Sequence, residues 1–131
     1  MPNKSGEKYY LFWFKKAEED ELSIRAVIKE GSPSTACFLA QQMAEKLLKG
    51  LLVFYKEEFP KMHDLLELKE LISGVAPEVS QLHNDLVLLN RYYTGARYPD
   101  DQETEFTYEE CQRAYKAAQN VKKFVLEIIK K

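Results

Sequence analysis

The chain is poor in the features that mark metal centres, disulfide scaffolds and membrane spans. It has two cysteines, Cys37 and Cys111, which share no metal-ligand spacing and each lie within an apolar helical pattern. We therefore predict two buried, reduced thiols, as suits a reducing compartment. No run of about 18 apolar residues occurs, and the residues after Met1 lack the apolar core of a secretion signal. These absences predict a cytoplasmic protein that spans no membrane.

The common catalytic signatures are also missing. The sequence contains no glycine-rich phosphate loop, no HExxH, no CxxC and no GxSxG. The sequence therefore lacks the usual motifs of P-loop nucleotide hydrolases, zinc proteases and serine hydrolases. We predict neither a metal site nor a cofactor.

The charge is balanced rather than strongly of one sign. Nineteen basic and 21 acidic residues give a formal charge of −2, which argues against a protein that coats a nucleic-acid duplex or an anionic membrane.

The length of 131 residues predicts a single domain, 1–131, which is large enough to bury a hydrophobic core.

Amphipathic patterns predict two long helices in the first half of the chain. The first covers about residues 7–30 and stops at Gly31. Ser32 as N-cap and Pro33 at the first helical position start the second, which ends before Pro60. Their apolar stripes are Tyr10, Trp13, Phe14, Ala17, Ile24 and Ile28 in the first helix, and Ala36, Leu39, Met43, Leu47, Leu51 and Phe54 in the second.

Three further helices are predicted in the second half. Asp64 and Glu67 have capping-box spacing and open a short helix over residues 64–74. Pro77 begins a fourth helix that runs to Tyr93, and Thr107 opens the last one. Amphipathic helices joined by short loops pack antiparallel, so the expected fold is all-α: an up-and-down four-helix bundle with one additional short helix.

Aromatic residues are unusually dense near the start of the first helix. Tyr9, Tyr10, Phe12, Trp13 and Phe14 fall on more than one face of that helix. A small monomer has difficulty burying so many rings, and a homodimer would explain them.

The segment over residues 89–100 is the main candidate site, because it combines arginines and tyrosines with a glycine and a proline. Arg offers a donor fork for phosphate and Tyr a stacking face for a base. The candidate residues for binding a nucleotide or a partner are Arg91, Tyr93, Arg97, Tyr98 and Asp100. The alternative is structural, with Arg97 paired to Asp100 or Asp101 and the tyrosines capping the core.

Secondary candidates lie on the second helix and at the two histidines. Glu45 and Lys49 form an i,i+4 pair in the favourable order, which favours a solvated face. The alternative has Lys49 and the amide of Gln42 facing a cleft or a subunit seam. His63 precedes a predicted helix cap, where a structural hydrogen bond is common, and His83 is expected to be partly buried and satisfied.

Four motifs in order resemble the HEPN family, the higher eukaryotes and prokaryotes nucleotide-binding domain. The run over residues 36–52 is similar to its helix signature F-x-x-Q-Q-x-x-E-K-x-x-K-x-L-L. The other three are Trp13 with Ala17 and Asp20, the run His63-Asp64-Leu65, and the run over residues 93–100.

This resemblance implies a helical bundle that usually dimerises and often works beside a minimal nucleotidyltransferase in toxin–antitoxin modules. Many family members cleave RNA with an Arg that is followed, after a short helical interval, by a His. Here no His follows Arg91, Arg97 or Arg113, and both His63 and His83 precede the first two arginines. We therefore expect a non-catalytic module that binds a nucleotide or a nucleotidyltransferase partner. The alternatives are a ribonuclease toxin with an atypical active site that lacks the Arg-to-His motif, and a structural dimer without a small ligand.

Overall fold

Helices make up nearly all of the described chain. The computed structural model describes residues 4–56, 61–95 and 106–130, and these contain helices and turns but no strand. The helices are α1 (Lys4–Glu30), α2 (Pro33–Lys56), α3 (Leu65–Ser73), a 3₁₀ helix (Pro77–Leu82), α4 (His83–Asn90), α5 (Tyr92–Gly95) and α6 (Tyr108–Lys130). The all-α class is confirmed.

The turn between α1 and α2 follows the predicted chemistry. Gly31 has a φ of 87°, a left-handed conformation that glycine adopts without the penalty a Cβ would bring. Ser32 then accepts a hydrogen bond from the backbone N–H of Ala36 at 3.1 Å, and its hydroxyl donates to Thr35 at 2.8 Å. The long helices α1 and α2 therefore reverse direction within two residues and lie side by side.

The second helix is the centre of the bundle. It packs against α1, α3 and α6, and a helix covered on several sides is apolar around most of its circumference. Its buried residues are Ala36, Cys37, Ala40, Gln41, Met43, Ala44, Glu45, Leu47, Leu48, Lys49, Gly50, Leu51, Leu52 and Val53. Three of these are polar or charged, and they form the candidate site.

The predicted caps of α3 and α6 are confirmed. The Asp64 side chain accepts from the backbone N–H groups of Leu66 and Glu67 at 2.9 and 3.2 Å. The Thr107 hydroxyl accepts from the N–H of Glu110 at 3.0 Å. Each cap satisfies donors that the first turn of a helix leaves unpaired.

The continuous fourth helix predicted from Pro77 to Tyr93 is wrong. The chain forms a 3₁₀ helix, then α4, then a break at Arg91 before α5. Leu89 and Tyr92 are both fully buried. Tyr93 is only partly buried, so Tyr92 rather than the predicted Tyr93 lies in the core.

Candidate functional site

Three polar side chains of α2 lie one turn apart inside the bundle. Gln41 is fully buried, and Glu45 and Lys49 are each 5% exposed. The Lys49 ammonium donates to Oε2 of Glu45 at 2.9 Å, and Nε2 of Gln41 donates to Oε1 of the same carboxylate at 3.1 Å. The solvated face predicted for Glu45 and Lys49 is therefore wrong, because α1 and the residues before α3 cover it.

Gln42 and Lys46, the other polar residues of this stretch, are half-buried at its edges. Nε2 of Gln42 donates to Oε1 of Gln41 at 2.7 Å. Lys46 donates to Asp20 of α1 at 2.7 Å, and burial raises the pKa of Asp20 even though Lys46 lowers it. Gln42 therefore extends the network around Glu45, whereas Lys46 links α2 to α1.

His63 completes the network from outside α2. Its Nδ1 lies 2.8 Å from Oε2 of Glu45, and 54% of its side chain remains exposed. Its ring stacks on Tyr93, with centroids 4.9 Å apart and an angle of 13° between the planes. We call this feature the His63–Tyr93 surface, with Glu45 as its buried support. Because Glu45 engages Nδ1, Nε2 is the ring nitrogen left for a ligand.

A second set of hydrogen bonds fixes the position of His63. Asn90, at the end of α4, accepts from the N–H of Leu65 at 2.9 Å and donates to Asp64 at 3.2 Å. The start of α3 is therefore tied to the end of α4. This tie holds His63, the residue before Asp64, beside Tyr93, three residues after Asn90.

Arg91 and Tyr92 lead away from this surface. The Tyr92 hydroxyl donates to Glu110 of α6 at 2.9 Å, and burial, followed by this hydrogen bond, raises the pKa of Tyr92. Arg91 is exposed, lies 3.3 Å from the same Glu110 carboxylate and contacts the Tyr92 ring at 5.6 Å. The arginine–tyrosine segment is thus divided: Arg91 and Tyr92 join α6, whereas Tyr93 joins His63.

The remaining sequence candidates are not part of this surface. Arg97, Tyr98 and Asp100 lie outside the described residues. His83 begins α4, and the Lys69 ammonium lies 3.0 Å from its Nδ1. His83 is exposed, so the prediction of a partly buried histidine is wrong.

A polar cluster between α1 and α6 was not predicted. Glu21 is 3% exposed, and it accepts from Lys122 at 2.7 Å and from the Tyr115 hydroxyl at 2.8 Å. Arg25 lies 3.4 Å from the same carboxylate. Burial favours the neutral acid, but the hydrogen bonds from Lys122 and Tyr115 prevail and lower the pKa of Glu21. One feature of the sequence indicates that Glu21 is buried: it lies between Ala17 and Ile24 on the apolar stripe of the first helix.

Neither a metal site nor a membrane span is found in the part of the chain that the structure describes. No group of His, Cys, Asp and Glu side chains within it has an arrangement that could hold a metal ion. None of its helices is both long and apolar enough to cross a bilayer.

Comparison with known proteins identifies the family. The HEPN domain model matches residues 10–129. The chain belongs to the HEPN family. This match accounts for the order of the motifs, and the resemblance seen in the sequence is confirmed.

Two solved structures share the fold along nearly their full lengths. TT1696 from Thermus thermophilus is 28% identical, with a TM-score of 0.79, and the match covers 90% of this chain and 96% of that one. ST0689, described as an archaeal HEPN homologue, is also 28% identical, with a TM-score of 0.73 and coverage of 92% and 97%. No curated protein matches the chain.

Proposed function

We propose that this HEPN protein is a nucleotide-binding module that takes a phosphate-bearing ligand at the His63–Tyr93 surface. One observation carries the proposal: a half-exposed imidazole is fixed at Nδ1 by a buried carboxylate and stacked on a tyrosine. A ring held in this way loses little conformational freedom when a ligand binds, which favours affinity.

The two rings and the following residues supply complementary chemistry. A nucleobase stacks on aromatic faces such as those of His63 and Tyr93. Nε2 of His63 serves a phosphate as a donor when the ring is protonated. Arg97, four residues after Tyr93 in the sequence, is the expected source of a guanidinium group for the phosphate.

The biological setting that we propose follows from the family resemblance. We infer that the module works with a minimal nucleotidyltransferase in a toxin–antitoxin-like system, with the His63–Tyr93 surface and residues 96–100 in contact with the nucleotide or the partner. A nucleotidyltransferase encoded beside this chain would support this setting. Copurification of the two proteins tests their association directly.

Calorimetric titration with AMP, ATP and short RNA oligomers tests the binding site. Tyr93→Leu removes the stacking face and should weaken binding about fivefold or more, because base–aromatic stacking contributes roughly 1–3 kcal/mol. Tyr93→Phe keeps the ring and should bind as the wild type does. Arg97→Ala should weaken binding about tenfold or more through the loss of charge-assisted hydrogen bonds.

The histidines give a matched control. His63→Gln removes the stacked imidazole and should weaken binding, whereas His83→Gln removes an exposed imidazole at the start of α4 and should not. Equal affinity of the wild type, Tyr93→Leu and His63→Gln for every ligand that binds would exclude this surface.

The pair formed by Glu45 and His63 also supports a second candidate, RNA cleavage. A carboxylate that orients an imidazole leaves Nε2 able to accept a proton from a reacting hydroxyl. This arrangement would supply the acid–base group that the missing Arg-to-His motif does not. Expression of the chain alone should then arrest growth, and purified protein should cleave RNA, with both effects lost in His63→Gln and kept in His83→Gln. Nucleotide binding without cleavage would leave the binding module as the function.

A further inference from the structure

A groove between α1 and α6 has a wide part and a narrow part. The wide part has a volume of about 260 Å³ and is lined mostly by charged side chains of α1, together with Lys122 of α6. The narrow part has a volume of about 120 Å³ and reaches Met43 and Leu47 of α2. Glu18, Glu21 and Lys122 line both parts, so the two volumes adjoin. We call the whole feature the α1–α6 groove.

The narrow part of the groove is an apolar crevice. Apolar side chains from three helices form most of its lining: Phe14, Ala17, Met43, Leu47 and Leu126. Because an apolar cavity of about 150 Å³ holds a benzene ring, the crevice of about 120 Å³ suits an aliphatic group of about four carbons. The alkyl chain of a fatty acid would be too long for it.

Arg25 and Lys122 bring positive charge to the wide part of the groove. Both cations share the carboxylate of Glu21, at 3.4 and 2.7 Å, and Arg25 also donates to the Tyr115 hydroxyl at 3.1 Å. These bonds use two of the five N–H groups of Arg25 and one of the three of Lys122. The two side chains are 57% and 33% exposed, so a carboxylate from solvent can reach the remaining donors.

Negative charge lies on the α1 side of the same groove. Glu18 is exposed and, like Lys122, lines both parts, so a carboxylate and an ammonium flank the entrance to the crevice. Glu19 lies 3.6 Å from Lys16, which leaves Glu18 as the carboxylate for a ligand.

The charges of the wide part cancel. Three basic side chains, Lys15, Arg25 and Lys122, face three acidic ones, Glu18, Glu19 and Glu21. A ligand with one sign of charge would therefore leave the other sign unmatched. A ligand that carries both signs and no net charge is complementary to this lining.

We propose that the α1–α6 groove binds a free apolar amino acid of about the size of leucine in its zwitterionic form. The aliphatic side chain fills the crevice, which excludes water from its apolar lining. The carboxylate binds Lys122 and Arg25, and the ammonium binds Glu18. The inference goes beyond the proposed nucleotide site and does not depend on it.

Calorimetric titration of the full chain with L-leucine at pH 7 tests the site, and one molecule should bind per chain. N-acetyl-L-leucine lacks the ammonium group and stands also for the C-terminal residue of a peptide, whereas L-leucinamide lacks the carboxylate. Each should bind about tenfold more weakly, because it loses charge-assisted hydrogen bonds. Glycine keeps both charges but lacks the side chain, and it should also bind more weakly than L-leucine.

Substitutions on the two sides of the groove separate the two charges of the ligand. Arg25→Gln should weaken L-leucine binding about tenfold. Glu18→Gln should weaken L-leucine binding but leave the weaker binding of N-acetyl-L-leucine unchanged, because that ligand has no ammonium group. Leu126→Asn should weaken L-leucine binding without a change of charge. Lys123→Gln, which removes an exposed charge beside Lys122 but outside the lining, should bind as the wild type does.

The substitutions should leave the fold intact. Glu18, Arg25, Lys123 and Leu126 are all exposed, so the circular dichroism and urea midpoints of the variants should stay close to those of the wild type. L-leucine should raise the urea midpoint of the wild type, because a ligand that binds only the folded state stabilises it.

Three results would overturn the proposal. The first is a wild-type protein that binds none of L-leucine, L-isoleucine and L-methionine at millimolar concentration. The second is equal affinity for L-leucine and N-acetyl-L-leucine, which would exclude recognition of a zwitterion. The third is L-leucine binding that Arg25→Gln, Glu18→Gln and Leu126→Asn all leave unchanged, which would place the site elsewhere. None of these results bears on the His63–Tyr93 surface, which is tested with nucleotides and RNA.

Discussion

Nδ1 of His63 lies 2.8 Å from Oε2 of Glu45, although 18 residues separate them in the chain. The carboxylate is buried and the imidazole is half-exposed, so the pair joins the interior of the bundle to its surface. Glu45 also accepts from Lys49, so two donors share one carboxylate oxygen. The Glu45 carboxylate therefore orients the His63 ring through Nδ1, while Tyr93 stacks on one face of the ring.

Glu45→Gln should destabilise the protein by about 3 kcal/mol, because it removes one member of a buried ion pair and leaves a desolvated ammonium. Urea unfolding at pH 7 measures the loss. Glu70→Gln makes the same chemical change at a carboxylate that is 76% exposed and 3.8 Å from Lys69, and it should cost less than about 0.5 kcal/mol. Equal effects of the two substitutions would contradict the buried network.

Glu21→Gln should reduce the acid sensitivity of the fold. Because the pKa of Glu21 is lowered in the folded state, its contribution is present above the usual value of 4.5 and is lost as the pH falls below it. The stability advantage of the wild type over Glu21→Gln should therefore shrink between pH 6 and pH 3. Urea unfolding at several pH values tests this. Glu127→Gln, which changes an exposed carboxylate on α6, serves as the control. A constant advantage across the range would show that the ionised form of Glu21 is not favoured by folding.

Gly50→Ala should destabilise the contact between α1 and α2. A Cβ at this position would lie 2.5 Å from Cε1 of Phe14 and 3.1 Å from Cβ of Trp13. Overpacking costs about 1–3 kcal/mol, whereas replacing a helical glycine by alanine gains about 1 kcal/mol, so we expect a net loss of about 1 kcal/mol. Thermal unfolding should show it.

Gly74→Ala is the matched control for this substitution. Its Cβ would meet the Leu71 carbonyl oxygen at 3.5 Å, an ordinary contact, and the φ of Gly74 is −69°. The change should stay within about 0.5 kcal/mol of the wild type. A stabilised Gly50→Ala protein would show that the Phe14 ring moves aside without cost.

Both thiols should react slowly in the folded protein. Cys37 and Cys111 are free and buried, and burial raises the pKa of Cys37 to about 12 and that of Cys111 in the same direction. Because the thiolate is the reactive form, alkylation at pH 8 should be slow until urea exposes both groups. Rapid labelling of two thiols in the native protein would contradict the packing of α2 against α6.

Local signals explain which parts of the fold could be predicted. The end of α1 and the start of α2 follow from Gly31, Ser32 and Pro33, and the starts of α3 and α6 follow from the Asp64 and Thr107 caps. Each of these depends on residues within four positions of one another. The fourth helix was predicted wrongly because no glycine or proline between Pro77 and Arg91 marks the end of the 3₁₀ helix or the break at Arg91.

The candidate site shows the same division. The sequence singled out Glu45, Lys49, His63 and Tyr93 separately, but no pattern within any one helix indicates that they meet. Their meeting depends on how α3 and α4 are tied together through Asp64 and Asn90. Arg91, which the sequence grouped with Tyr93, pairs instead with Glu110.

The sequence by itself determined the helical class, the positions of the main helix ends and the membership of the HEPN family, because caps, turns and motif order are local or linear properties. Only the tertiary structure decided that Glu45 and Lys49 are buried, that Glu21 lies under Lys122 and Tyr115, and that His63 stacks on Tyr93. The physical reason is desolvation: whether a charged side chain on a helix faces water depends on which other helices cover it. The residues that cover a charged side chain come from distant parts of the chain, so its neighbours in sequence do not reveal whether it is buried.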